Sequence, residues 1–370
     1  MESQPQTESS GKARPTRHDW PPRALRSNKK QSPTALARAT SYMRQLWSNG
    51  IIFQAVGIPL RHLLAFYGLR LCLSGQVPWR TGLLALALWP ISGFGVTAGV
   101  HRLWTHQSYV ASPMLEAMLM LMFSMADQGP IQGWALTHAM HHVASDTRCD
   151  PHDRNAGFWY AHVGWLFSAT KFRLATREYR RVVENFGPTV KFHDACSLWW
   201  DPLWSHGVPA ALAALWGDVR GGLFVAGALR WMIVQHITFA VNSLAHGEQD
   251  GNAYAFDPKA FGIGPKVSVL VSLLALGEGW HDYHHLFPWD YAAAELDAWD
   301  QYNPTKVFID GCCLLGLAKD RRRCSRRLQD LRRSQLLAGS VEGEELEFEV
   351  VGLPFLRYKR PLSLMPRETK

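Results

Sequence analysis

Several common functional signatures are missing from this chain of 370 residues. Its six cysteines form no C-x-x-C pair, so we expect reduced thiols and neither a zinc ribbon nor a disulfide framework. No H-E-x-x-H motif occurs, which argues against a zinc hydrolase that uses the glutamate as its base. His18 alone precedes the first apolar segment and no histidine follows His285, so we expect no fused haem domain with two axial histidines at either end. The apolar core of a signal peptide is also missing near residue 1.

The composition favours a membrane protein over a nucleic-acid-binding protein. Hydrophobic residues make up 47% of the chain, and it contains 16 tryptophans, which favour membrane interfaces. The formal net charge is +8, but the basic residues lie mainly toward the two ends of the chain. Basic tails on the cytosolic side of membrane spans give the same distribution. We therefore expect a lipid bilayer as a partner, and no nucleic acid.

Four apolar segments approach the roughly 20 residues that a helix needs to cross a bilayer. They are residues 51–73, 81–100, 198–216 and 223–245. Residues 113–126 are apolar but shorter, which favours a re-entrant or interfacial helix. Two pairs of crossings return the chain to its starting side, so the polar segments between the pairs and both basic tails should share the cytosolic face. The predicted fold is an all-α integral membrane protein with four transmembrane helices and a cytosolic helical cap.

The chain divides into three predicted parts. Residues 1–47 are rich in proline, serine and arginine without an apolar period, and we predict a disordered basic tail, with a transit peptide as the alternative. Residues 48–325 hold the four spans and the cap. Residues 326–370 are predicted to be a C-terminal tail, which begins within the basic stretch 321–333.

Three histidine clusters stand out in the polar parts of the membrane domain. They are His101-x4-His106, His138-x2-His141-His142 and His281-x2-His284-His285. Offsets of three and four residues place side chains on one face of a helix. Neutral imidazole is the commonest protein ligand of zinc, copper, iron and nickel. Because one ion takes three or four protein ligands, eight histidines predict a site for two ions.

Two neighbouring metal ions suit either hydrolysis or dioxygen chemistry. No motif of the H-E-x-x-H kind places a carboxylate base for hydrolysis among these histidines, and a membrane site offers apolar substrates. Oxidation of a lipid chain by dioxygen is therefore the favoured chemistry, although the spacing alone does not name the metal.

In this order the clusters resemble the histidine boxes of the membrane fatty acyl desaturases, specifically the stearoyl-CoA (Δ9) type. The resemblance covers roughly residues 50–325 and includes Gly95-Val-Thr-Ala-Gly-Val-His101-Arg-Leu-Trp104, Asp150-Pro-His152, Gly157-Phe158, His162-Val-Gly-Trp165, Val241-Asn242-Ser243 and Gly277-Glu278-Gly279. Before the second box the sequence departs from the animal pattern. The run Gly129-Pro130-Ile131-x-x-Trp134 is closer to cyanobacterial and plant Δ9 enzymes, some of which act on glycerolipids.

The resemblance implies a di-iron (Fe2+) site and no catalytic side chains beyond the metal ligands. It adds His246 to the eight histidines as a ninth ligand, and Asn242 as a ligand through a water molecule. These two residues are four apart, which would place them on one helical face. Residues expected to orient the ligands are Asp146, Asp150, His152, His162 and Glu278. Residues expected to line the substrate tunnel are Trp89, Gly93 and Trp134, although Trp89 and Gly93 could equally serve packing within their span.

The implied activity is that of an acyl-CoA desaturase, an oxidoreductase that inserts a cis double bond, at Δ9, into a saturated long-chain acyl-CoA with O2. Electrons would come from NADH through a reductase and a separate cytochrome b5. The expected location is the endoplasmic reticulum membrane with cytosolic termini, with a plastid membrane as the alternative. Within the same chemistry, a glycerolipid desaturase and a lipid hydroxylase stay open. From other classes, the alternatives are a membrane protein that binds or transports metal and a bis-histidine haem protein.

Four further histidines carry no functional prediction. His62 and His236 lie inside spans without a partner at helical spacing, which is typical of core histidines. His193 and His206 are predicted to lie in loops or at the membrane interface.

Overall fold

The structure, a computed structural model, describes residues 51–168, 186–250, 255–256 and 261–338. The predicted N-terminal tail, residues 1–47, lies wholly outside these residues, and so does the predicted C-terminal tail beyond residue 338. The α-helices of the described part are α1 Ile51–Leu73, α2 Trp79–Phe94, α3 Pro113–Ala126, α4 Ile131–Ala144, α5 Phe158–His162, α6 Pro188–Pro202, α7 Val208–Ala214, α8 Val219–Gly221, α9 Arg230–Ser243, α10 Val269–Leu274, α11 His281–Leu286, α12 Pro304–Leu314 and α13 Arg326–Ala338. π-Helical segments cover Gly95–Thr105, Leu203–Gly207 and Gly222–Leu229, and short 3-10 turns cover Arg154–Ala156 and Gly164–Phe167.

Three helical stretches of the described part are long and apolar enough to cross a membrane. They are Gln54–Leu73, Trp79–Thr105 and Val219–Ser243, and they confirm the first, second and fourth predicted spans as candidates. The third predicted span, residues 198–216, falls on α6, the π segment and α7, which form one helical run. Polar residues in that run, among them Asp194, Asp201 and His206, keep it less apolar than the other three. Its crossing of the membrane stays a prediction.

Two small antiparallel sheets correct the expectation of an all-α fold. Strand β1 Val110–Ala111 pairs with β4 Ala318–Lys319, and β2 His246–Asp250 pairs with β3 Phe261–Pro265. The second sheet matters for the site because its register places His246 opposite Pro265, at the start of β2. Helix α9 ends at Ser243, so His246 and Asn242 do not share a helical face as predicted.

The π-helical segment Gly95–Thr105 continues α2 and packs closely against α3. Leu115, Leu119 and Phe123 of α3 are fully buried in this contact region. A β-carbon on Gly95 would lie 2.2 Å from the backbone nitrogen of Phe123, so the two helices approach at a distance that only glycine allows. This packing fixes the end of the second span, which carries the first pair of histidines.

Helix α13 occupies the first residues of the predicted C-terminal tail and packs on the histidine-bearing part of the chain. Its Gln329 is buried and donates to the hydroxyl of Tyr283 at 3.1 Å. Arg333 forms an ion pair with Glu295 at 2.8 Å. Residues 326–338 therefore belong structurally with the cap, and the chain beyond them lies outside the described residues.

Candidate metal centre

Nine histidines from four parts of the fold converge into two adjoining groups. Seven of them are buried and two are half-buried. The five-histidine group consists of His101, His106, His138, His142 and His284, and the four-histidine group consists of His141, His246, His281 and His285. Within each group, the nitrogens able to bind a metal all lie within 4.8 Å of one another. The groups adjoin, because the rings of His142 and His285 stack with their centres 4.3 Å apart.

The π-helical segment explains the spacing of the first motif. In a π-helix the backbone hydrogen bond joins residues five apart, so residues i and i+5 lie roughly one turn apart. The amide of His106 accordingly donates to the carbonyl of His101 at 3.1 Å. Their rings approach to 4.9 Å, and both belong to the five-histidine group. The five-residue spacing is thus matched to a π turn, whereas an α-helix would turn the two side chains apart.

The Nε2 atoms of each group point toward a shared centre. Neighbouring Nε2 atoms lie 2.9–3.1 Å apart in both groups. Two nitrogens bound at right angles to one ion, with metal–nitrogen distances of about 2.1 Å, would be about 3.0 Å apart. The observed spacing is that of ligand atoms around a single ion in each group.

Three carboxylates hold the opposite nitrogen of three of these imidazoles. The Nδ1 atom of His141 lies 2.9 Å from both oxygens of Asp150, and that of His246 lies 2.9 Å from Asp146. The Nδ1 atom of His101 lies 3.1 Å from Glu278. Asp146, Asp150 and Glu278 therefore take the places expected of residues that orient ligands. Such partners fix the tautomer of a ligating histidine and raise its basicity.

The pair His141 and His246 shows that the donor set fits a cation. Both residues direct Nδ1 at a carboxylate, which can only accept, so in the neutral rings both Nε2 atoms carry a lone pair. These two Nε2 atoms face each other at 3.1 Å in a buried site. Two lone pairs at this distance repel unless a cation lies between them. The residues present therefore match the requirements of a bound metal ion.

Burial keeps most of the cluster in the form that binds metal. Desolvation, followed by the fields of neighbouring imidazoles, holds the pKa well below its ordinary value in six residues: His106, His138, His142, His281, His284 and His285. A lowered pKa means a neutral imidazole with a free lone pair at neutral pH, which is the ligand form. His141 differs, because although burial alone would lower its pKa, the carboxylate of Asp150 raises it.

The carboxylates remain charged in spite of their burial. Burial alone would raise the pKa of each, but the field and hydrogen bond of a neighbouring partner outweigh it and lower the pKa. The partner is His246 for Asp146, His141 for Asp150, and first Arg102, then His101, for Glu278. The buried guanidinium of Arg102 binds Glu278 at 2.8 Å and the carbonyl of Tyr291 at 2.8 Å. The local sequence gave no sign of this contact, because the two residues are 176 positions apart.

An apolar cavity opens beside both histidine groups. Its wall includes His101 and His138 of the first group and His281 of the second. All three predicted tunnel residues, Trp89, Gly93 and Trp134, line it, together with Asn242.

A polar brace crosses one side of this cavity. The indole nitrogen of Trp134 donates to Gln128 at 3.0 Å, and the amide of Gln128 donates to the hydroxyl of Thr238 at 2.8 Å. The brace joins the turn between α3 and α4 to α9, so it fixes the width of the cavity near the histidines. Gln128 and Thr238 were not predicted, since neither belongs to a recognisable motif.

The remaining predicted residues lie close to the centre without joining either group. The ring of His152 packs edge-on against Trp165 at 4.2 Å and lies 5.1 Å from the ring of His141. The Nδ1 atom of His162 lies 2.9 Å from the hydroxyl of Ser243, at the end of α9. His162 thus supports the helix end that carries Asn242 and does not contact a metal-binding group.

The four histidines without a functional prediction prove to have partners or to be buried. The Nε2 atoms of His62 and His236 lie 3.0 Å apart, and the Nδ1 atom of His236 lies 3.0 Å from Nε2 of His162. His193 and His206, predicted in loops or at the interface, are instead buried in the helical run 188–214, where His193 contacts Asp201 at 2.9 Å. Contacts between helices determine where these four histidines lie, and the local spacing of residues does not predict such contacts.

The fold and the site define a class of protein: a helical membrane protein whose clustered histidines form a two-site candidate metal centre on the wall of an apolar cavity. Residues 74–303 match the family described as fatty acid desaturase.

Known relatives cover most of the chain. A stearoyl-CoA desaturase 5 of Bos taurus is 37% identical over 294 residues, which are 76% of this chain and 82% of that protein. An acyl-CoA Delta(11) desaturase of Trichoplusia ni is 37% identical over 264 residues, or 70% of this chain and 73% of that protein. An acyl-CoA Delta-9 desaturase of Acheta domesticus is 35% identical over 305 residues, or 78% of each chain. The chain belongs to the fatty acid desaturase family, which confirms the resemblance drawn from the histidine motifs.

Proposed function

We propose that the protein is an acyl-CoA desaturase that inserts a cis double bond, at Δ9, into a saturated long-chain acyl-CoA. One observation carries the proposal: both histidine groups contribute to the wall of one apolar cavity. An acyl chain in that cavity would lie beside both metal-binding positions, out of contact with water. All three relatives named above act on a CoA-linked chain by their names, which supports the carrier, and two of the names give a position, Δ11 and Δ9, of which we choose Δ9.

The proposed reaction removes two hydrogen atoms from adjacent methylene groups. Dioxygen, two electrons and two protons are consumed, and the unsaturated chain and two molecules of water are formed. We assign two Fe2+ ions, one to each histidine group, with Asn242 reaching an ion through water. When bound, the iron pair supplies the redox chemistry that activates dioxygen. Asn242 lines the cavity at the end of α9, which is consistent with this role.

The protein's own residues hold the ligands and the chain in place. Asp146, Asp150 and Glu278 keep Nδ1 of their histidines protonated and leave Nε2 free. The aromatic walls of Trp89 and Trp134 exclude water and confine the chain. Because positioning of the reacting carbons beside the oxidant sets the reaction site, the brace through Trp134 is proposed to fix which bond is oxidised.

The convergence of the histidines supports four membrane crossings. The clusters before α6 and His246 after α9 are joined by a segment that contains the apolar span Val219–Ser243. If the chain crossed the bilayer only once in this segment, His246 and the earlier histidine clusters would lie on opposite sides. A second crossing is therefore required, and the helical run 188–214 is the candidate. We propose that the cap and both termini face the cytosol at the endoplasmic reticulum membrane, with a plastid membrane as the alternative location.

Electrons are proposed to come from NADH through a reductase and cytochrome b5. The exposed arginines Arg326 and Arg327 at the start of α13 offer a positively charged surface on the cap. Charge complementarity of this kind steers an acidic donor protein to its docking site.

Expression in a desaturase-deficient yeast, followed by fatty-acid analysis, tests the proposal. Monounsaturated acyl chains should accumulate with the wild-type protein and not with a His141→Ala variant. A hydroxylated product would identify a lipid hydroxylase, and incorporation only into intact glycerolipids would identify a glycerolipid desaturase. Equal profiles for the wild type and the variant would contradict the enzyme assignment. Zinc retained after chelation would favour a metal-binding or transport protein. A Soret absorption band would favour a haem protein.

A further inference from the structure

Helix α10 separates the cavity from the outside of the protein by a single layer of residues. Leu274, at the end of α10, lines the cavity, yet 39% of its surface is exposed. The next two residues, Ala275 and Leu276, also line the cavity. A side chain that belongs to both the cavity wall and the outer surface marks the thinnest part of the enclosure.

The outer face of α10 is apolar and continues a membrane-spanning surface. Val269, Leu270 and Leu273 are each about half exposed, at 47–56%. The inner face packs on the end of the span Val219–Ser243, where Val271 and Ala275 cluster with residues of α9. Exposed apolar surface next to a transmembrane helix is expected to face lipid, which identifies the hydrocarbon of the bilayer as the occupant of this face.

Exposed aromatic residues border this face on its other side. The carbonyl of Tyr302 accepts hydrogen bonds from the hydroxyl of Ser272, in α10, and from the indole nitrogen of Trp280. Tyr302 is 43% exposed, and the neighbouring Trp299 is 98% exposed. Tyrosine and tryptophan concentrate where a membrane meets water. The arrangement places α10 at the level where hydrocarbon gives way to the headgroups.

The attachment of α10 suits a movable wall. Its apolar contacts form a small cluster, Ala245, Val271 and Ala275, separate from the main core. Leu276, directly behind the helix, has a φ of 55°, a strained backbone conformation for a branched side chain, and Gly277 follows with a φ of 105°. Strain at a wall residue of the cavity favours a second conformation of this turn.

We propose that the unsaturated acyl chain leaves the cavity sideways into the bilayer along α10, through the gap that Leu274 covers. The inference takes its substrate class, a long acyl chain, from the proposed function. Sideways passage lets a chain leave along its whole length into lipid, while a polar carrier stays at the cytosolic surface. The apolar outer face of α10 thus becomes the contact between the site and the membrane.

Fluorescence quenching in proteoliposomes tests where α10 lies. A bimane label is attached to Leu273→Cys, in a protein whose exposed Cys72 and Cys149 are serine. Doxyl lipid should quench this label as it quenches one at Leu83→Cys, a lipid-facing control in the second span. Iodide in the water should quench a label at the exposed Asp330→Cys and not the one at position 273. Quenching of the label at position 273 by iodide alone would overturn the proposal. Quenching by neither agent would also overturn it, because it would indicate that another protein covers this face.

Product release tests the route itself. When the substrate is bound before O2 is admitted, Leu274→Trp should lower the steady-state rate several-fold more than it lowers the rate of the first turnover, because the added bulk hinders release of the product. Leu315→Trp, a change at an exposed leucine of another surface, should alter neither quantity. An equal loss in both phases for Leu274→Trp, or no loss in either, would refute the route. If the wild type forms no product, the function fails, and the quenching result still decides the position of α10.

Discussion

Replacement of Asp150 by asparagine should weaken one of the two metal positions and spare the other. Asp150 is fully buried and accepts from Nδ1 of His141 with both oxygens at 2.9 Å. The same oxygens accept from the backbone amides of Asp146 and His152, each at 2.8 Å. Asparagine keeps one acceptor oxygen and introduces an NH2 group, so it cannot satisfy these donors together.

The expected consequence is a change of tautomer at His141. An amide that directs its NH2 group at Nδ1 forces the ring proton onto Nε2, which removes the lone pair from the metal-facing atom. Loss of such an orienting partner costs roughly 10–100-fold in metal affinity, or about 1.4–2.7 kcal/mol. Because His141 belongs to the four-histidine group and not to the five-histidine group, the five-histidine group should keep its affinity.

Anaerobic titration of the metal-free protein with Fe2+ in competition with a chelator measures both positions. The Asp150→Asn protein should bind one ion per chain as tightly as the wild type and a second ion more weakly. The control is Asp290→Asn, which alters a buried carboxylate that is held by Tyr283 and Arg323 and not by a histidine ring. Two ions bound with affinities within twofold of wild type in Asp150→Asn would refute the reasoning, as would equal weakening in the control.

Three further predictions concern packing, the cavity and the metal. Gly95→Ala should lower the free energy of unfolding by about 1–3 kcal/mol, because the added methyl group would meet the backbone of Phe123. Gly82→Ala should not lower it, because the space around Gly82 is open. Thermal denaturation compares the two variants. Trp89→Ala should shift the products toward longer acyl chains and Gly93→Ala toward shorter ones, since both residues line the cavity, and gas chromatography reads the shift. Removal of metal by a chelator should abolish desaturation and leave the helical circular dichroism spectrum in place, with activity restored by Fe2+.

The histidine motifs could be predicted from the sequence to the extent that their geometry is local. The spacing of His138, His141 and His142 within α4 follows from helical periodicity, and so does that of the last motif. The spacing of His101 and His106 fits a π turn, and the residue pattern of the sequence does not predict such a turn. His246 came from the family resemblance, and the predicted helical relation to Asn242 was wrong because α9 ends between them.

Contacts between distant segments set the rest of the site. Arg102 and Glu278 are 176 residues apart, and His62 and His236 are 174 residues apart. Each of these side chains, taken alone in an apolar helix or a glycine-rich turn, carries no sign of its partner. The third predicted span illustrates the same limit, since its Asp201 is held by the buried His193. Hydropathy along the sequence cannot register that compensation.

The hydrogen bonds around the centre indicate that the fold positions the histidines before any metal binds. Arg102 ties the histidine-bearing π segment to the carbonyl of Tyr291, beyond the last motif. Arg154 does the same for the opposite side, because its Nε atom lies 3.2 Å from the carbonyls of both Ser243 and His246. In both contacts a charged arginine donates to a backbone carbonyl, and neither contact involves the histidine Nε2 atoms that face the metal-binding positions. Ligands held in this way lose little conformational freedom on binding, so the free energy of metal binding goes into the metal–nitrogen bonds and not into folding the site. A site organised in advance would also keep the two proposed ions beside the cavity wall, which is the arrangement that oxidation at a fixed carbon requires.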